Sequence, residues 1–90
     1  MTTSTLPPWL TPCQRAVFIA TAHLSQRTMA DASAAECRAC MALPAVRRLE
    51  ARIEELIATE DVLAVQQTYQ TLARTYKAAL QRLRQHQEAA

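Results

Sequence analysis

Ninety residues with a formal charge of +2 allow one domain at most, and the charge is too close to neutral to name a partner class. The chain holds no glycine. Asparagine is absent too, so tight hairpins with positive φ are disfavoured, while alanine, leucine, glutamine, glutamate and arginine are good helix formers. These features exclude a β fold and predict an all-α domain over residues 11–90, preceded by a flexible tail at 1–10.

The tail ends in Leu6-Pro7-Pro8, which favours an extended path, and Trp9 and Leu10 are expected to fold back onto the body. The first helix opens with Thr11 as N-cap, Pro12 at the first helical position and Gln14 closing a capping box. It runs through Ala16, Val17, Phe18, Ile19, Ala20 and Leu24, fading near Arg27 to Ala30. Its apolar residues are so contiguous that burial on more than one side is expected.

Ser33 and Glu36 form a second capping box. The helix that they start meets Pro44, which demands a kink or break near Leu43 before helix resumes to Ile57. This stretch carries an apolar stripe at Val46, Leu49, Ile53 and Leu56. The last segment repeats the pattern more clearly. Val62, Val65, Tyr69, Leu72, Tyr76, Ala79 and Leu83 alternate by three and four, an a/d heptad stripe widened by Leu63, Ala73 and Leu80. The stripe slips register between Ile57 and Val62. A turn near Ala58-Thr59 follows, with Thr59 capping and Glu60 and Asp61 in the first turn of the next helix. The expected architecture is a three-helix bundle, four-segmented if Pro44 breaks the second helix, with a C-terminal antiparallel hairpin. One bent helix of some forty residues is the competing reading for 45–87.

Candidate chemistry is sparse. Cys37 and Cys40 share a helix face, but a zinc site needs two more ligands, and Cys13 and His23 stand ten residues apart on one helix, about 80° off a common face. The thiols read as small core hydrophobes, with a redox or metal sensor as the alternative. His23 and His86 are isolated from any nucleophile, no glycine loop cradles phosphate, and Glu50, Glu54 and Glu55 interleave with Arg47, Arg48 and Arg52 as on a solvated face. No catalysis, cofactor or metal is therefore expected. Arg74, Lys77 and Arg84 fall at outward heptad positions and make a modest basic strip, the basis for an alternative reading as a small nucleic-acid-binding regulator. Three cysteines cannot close a disulfide set, and nothing resembles a targeting or spanning segment, so a reduced cytoplasmic setting without membrane contact is expected.

The stripe therefore carries the functional expectation. Val62, Val65, Tyr69, Leu72, Tyr76, Leu80 and Leu83 are the candidate partner-binding residues. Either the first helix covers the seam, or the seam stays partly open and receives a helix of another protein, with a second copy of the chain as a further occupant. Residues 45–87, with acids at the turn (Glu60, Asp61) and Gln66, Gln67 and Gln70 around the heptad, resemble the small co-chaperones of type III secretion needle subunits. That resemblance implies a cytosolic helical hairpin paired with a tetratricopeptide-like chaperone, keeping a needle subunit monomeric before export. It assigns the contacts to Val62, Val65, Tyr69, Leu72 and Tyr76.

Overall fold

The computed structural model describes residues 7–89, and among them every regular element is helical. α1 spans Pro12–His23 and runs into one π turn, Leu24–Thr28; α2 spans Ala34–Met41, α3 Pro44–Ala58 and α4 Val62–Ala89. Of the expected tail, residues 1–6 lie outside the described part, while Pro7 to Leu10 make a turn closed by the Leu10 N–H on the Pro7 carbonyl at 3.3 Å. Leu10 is half-buried, but Trp9 is 78% exposed and does not pack on the body as expected.

Both expected capping boxes form. The Thr11 hydroxyl accepts from the Gln14 N–H at 3.1 Å and the Gln14 side chain accepts from the Thr11 N–H at 3.0 Å. Ser33 and Glu36 repeat the exchange at 3.1 and 2.9 Å. In the π turn, the Met29 N–H reaches back five residues to the Leu24 carbonyl at 2.9 Å. On an α-helix residues five apart diverge by about 140°. The wider turn narrows that gap, and both Leu24 and Met29 pack on the core. Pro44 resolves the second segment as a break: Leu43 is extended (φ −67°, ψ 136°), and Pro44 opens α3 at its first position.

The α3–α4 connection is a hairpin, which excludes the single bent helix. Its chemistry differs from the expectation in one respect. Thr59 ends α3, with its hydroxyl donating to the Leu56 carbonyl at 3.1 Å, and Asp61 caps α4, accepting from the Ala64 N–H at 3.2 Å. The Asp61 N–H reaches the Leu56 carbonyl and the Glu60 N–H reaches the Ile57 carbonyl, both at 3.1 Å, and Glu60 lies between them at φ 57°. This is a Schellman closure with glutamate in the left-handed position that glycine usually fills.

α4 is the spine. α1 lies beside it in the same direction: Cys13 and Ala16 pack near Leu56 and Val65 at the hairpin end, and Val17 and Leu24 lie farther along with Leu72 and Tyr76. α3 and α2 return along α4 in the opposite direction, with Cys40 against Tyr76, Ala79 and Leu80. The result is thin. Extents of 49 × 34 × 17 Å leave room for barely two helix diameters in the shortest direction. The Cα radius of gyration is 14.8 Å. A compact chain of this length would have about 12 Å.

Candidate functional site

The seven candidate residues all lie on α4, and the bundle encloses most of them. Val65, Leu72, Tyr76 and Leu80 are 0–5% exposed, whereas Val62, Tyr69 and Leu83 are half-buried. The seam is thus the core of this chain: α3 covers one flank, α1 another, and α2 covers Leu80. Leu63, on the flank of the seam, is 63% exposed. α1 departs from its expectation. It buries only Cys13 and Ala16, leaving Phe18 58% and Ile19 47% exposed instead of buried on several sides. The cause is the thin shape, since α1 meets α4 on one face and, among the described residues, no further helix covers its back.

Enclosure is incomplete between α1 and α3. Their facing sides leave a groove of about 550 Å³, with Tyr69, Leu72 and Tyr76 on its floor. Val17, Thr21 and Leu24 form the α1 wall, and Glu50, Ile53, Glu54 and Ile57 form the α3 wall. Phe18 stands beside Val17 and Thr21 on the adjoining surface of α1. The floor is apolar and the α3 rim carries two carboxylates. Burial, reinforced by the nearby Glu50 carboxylate, pushes the Tyr76 hydroxyl up to about 12, so this side chain stays neutral at any physiological pH. The groove's lining spans about two turns of each helix, and the volume is that of a small cleft. Among the described residues, no buried polar side-chain atom lacks a hydrogen-bond partner.

Of these groove residues, the sequence singled out the floor and missed Thr21, Glu50 and Glu54 as walls. The unbroken apolar run Val17–Ile19 carried the signal, because a run too wide for one contact must leave a face uncovered if no further helix arrives.

The remaining candidates fall elsewhere. Cys13 and Cys40 are completely inaccessible and Cys37 is half-buried; all three are free thiols. Burial pushes Cys40 up, with neighbouring Cys37 adding to it, and burial with the Glu60 carboxylate does the same for Cys13. Both are held as neutral, unreactive thiols. His23 and His86 are exposed and far apart along the molecule. No three His, Cys, Asp or Glu side chains among the described residues gather into a metal-binding group. No described helix is long and apolar enough to cross a membrane.

Arg84 corrects the expected basic strip. Its guanidinium grips Glu36 through Nε at 3.0 Å and Nη2 at 3.2 Å, and Nη2 also reaches Asp31 Oδ1 at 3.5 Å. It ties the start of α2 to the end of α4 and is not a free cation. Glu36 therefore closes a capping box and accepts a bidentate fork at once. The Arg84 contact, aided by the Ser33 N–H, holds its carboxyl down from 4.5 to about 2.

No family model, curated protein or solved structure matches this chain.

Proposed function

We propose that the chain is a non-enzymatic protein-binding module, an adaptor or co-chaperone, which receives a helix of its partner in the groove between α1 and α3. The observation that carries this reading is the groove left between α1 and α3, where half-buried Val17, Leu24 and Tyr69 present apolar surface above buried Leu72 and Tyr76, with exposed Phe18 beside it. An amphipathic helix laid there would cover apolar surface that the chain's own helices leave bare, the helix-in-groove mode of recognition. The resemblance of residues 45–87 to type III secretion co-chaperones supports the same direction. Under it the setting is cytoplasmic, and the partner is a helical chaperone or a needle subunit.

The test is affinity capture from the cells that make the protein, with mass spectrometry of what is retained, repeated on two rim variants. Thr21 and Phe18 are exposed, so Thr21→Trp, which fills the groove, and Phe18→Glu, which charges its edge, leave the core untouched. Each is expected to weaken capture of the same partner about tenfold or more, the loss typical of a buried anchor. Undiminished capture by both variants, with helicity intact, overturns the groove as the binding face.

A further inference from the structure

A second groove opens on a different face of α4. It is the larger at about 640 Å³, and it runs between the α2–α3 corner and the C-terminal half of α4. Leu43, Pro44, Ala78 and Leu83 supply its apolar surface, and Arg74, Arg82 and His86 also line it, spaced along α4. No residue lining it lines the α1–α3 groove.

Its charge is one-sided. No Asp or Glu occurs from Cys37 to Leu49 or from Val62 to Gln87, the two stretches that build its walls. Five of the chain's eight acids instead lie between Glu50 and Asp61. Arg38, Arg47, Arg48, Arg74, Lys77 and Arg82 are all exposed in the acid-free stretches, while Arg84, held by Glu36 and Asp31, faces α2. A low-dielectric cleft rimmed by one sign of charge concentrates that field at its mouth.

We propose that this groove docks an acidic amphipathic helix of a partner protein. The helix sets its apolar stripe against Leu43, Pro44, Ala78 and Leu83, and its carboxylates meet Arg74 and Arg82. Guanidinium groups take carboxylates bidentately, so the rim sets orientation and selects against basic or neutral helices, while the apolar floor supplies the contact area. Phosphate groups alone would leave the apolar surface of Leu43, Pro44, Ala78 and Leu83 uncovered. Duplex nucleic acid offers charge but no apolar stripe to fill it.

Leu43 gives a discriminating variant. It is the N-cap residue of α3 but makes no side-chain capping bond. Leu43→Asp supplies a preferred cap while placing a carboxylate in the groove. The substitution is therefore expected to keep or raise stability and to weaken acidic-helix binding.

The probe is a synthetic helical peptide of about five turns with a leucine stripe and glutamates elsewhere. One control replaces glutamate by lysine, and another keeps the composition but scatters the leucines. Titration into the isotopically labelled protein at about 0.15 M salt is expected to move the amide signals of Leu43 to Ala45 and Thr71 to His86. Both controls, the Arg74→Glu/Arg82→Glu pair and Leu43→Asp should each weaken binding about tenfold or more with unchanged circular dichroism. The proposal falls if the probe does not bind, or if the scattered peptide binds equally. It also falls if signals move instead at Val17 to Leu24, if duplex DNA binds more tightly than the probe, or if a second copy of the chain occupies the groove in sedimentation. None of these failures touches the α1–α3 groove except the displaced signals, which would support it.

Discussion

Glu60 holds a φ of 57° that side chains with a Cβ disfavour, and the two backbone bonds of the hairpin closure keep it there. Glu60→Gly should therefore stabilise the chain by about 1 kcal/mol, read as a higher urea midpoint with an unchanged slope. An unchanged or lower midpoint would mean that the carboxylate beside Cys13 contributes more than the strain costs. Glu36 offers a second test at the residue scale. Its carboxyl sits at about 2 in the folded chain against 4.5 when free, so the folded state favours the ionised form. That contribution is fully present above about pH 4.5 and is lost as pH falls toward 2. Thermal midpoints of the parent should drop across this window, and Glu36→Gln should flatten that part of the curve. The caps at Thr11 and Ser33 were legible in the sequence because each is a pattern four residues long. Arg84 was not, because its partner Glu36 lies 48 positions away and the heptad marks only its outward direction.

Pro44 announced an interruption between α2 and α3, and the extended Leu43 makes it a break. Leu43→Asp is expected to stabilise α3 by about 1 kcal/mol through the missing cap, measurable as a rise in thermal midpoint. A fall would show that the leucine's own packing outweighs the cap. On α2, the thiols differ by position on the helix. Cys37 should react first with a maleimide, whereas Cys40, like Cys13 on α1, should react only as the chain unfolds. Replacing Cys37 and Cys40 together with alanine should leave partner capture intact. Capture lost on mild oxidation and restored by a reductant would reinstate a redox role. The heptad of α4 and the matching stripe of α3 pointed to their pairing, but the sequence left one bent helix open, because no glycine or proline marks the turn that Glu60 makes at φ 57°. The stripe could not specify that α1 would lie parallel to α4 and leave a groove between itself and α3, since that depends on the long-range fit of a helix whose apolar residues point to several sides.

The whole molecule is a thin arrangement in which three helices rest on one, and few side chains are fully enclosed. Leu72 is 2% exposed at its centre, so Leu72→Ala should cost about 2–5 kcal/mol. That is comparable to the total stability of a small domain. Seam substitutions will thus read mainly as unfolding, which a denaturation curve reports directly. Binding must instead be probed at the rims, where Phe18, Thr21 and Glu54 are exposed. The charge is divided in the same way, with acids gathered around α3 and the hairpin turn and exposed cations along the walls of the other groove. The measurement that bears most directly on the proposed function is amide chemical-shift mapping of the labelled chain with the partner recovered by affinity capture. The shifts are predicted to gather at Val17, Thr21, Leu24, Glu50, Glu54 and Tyr69, around the α1–α3 groove. A partner that binds while leaving all six unmoved would contradict the account.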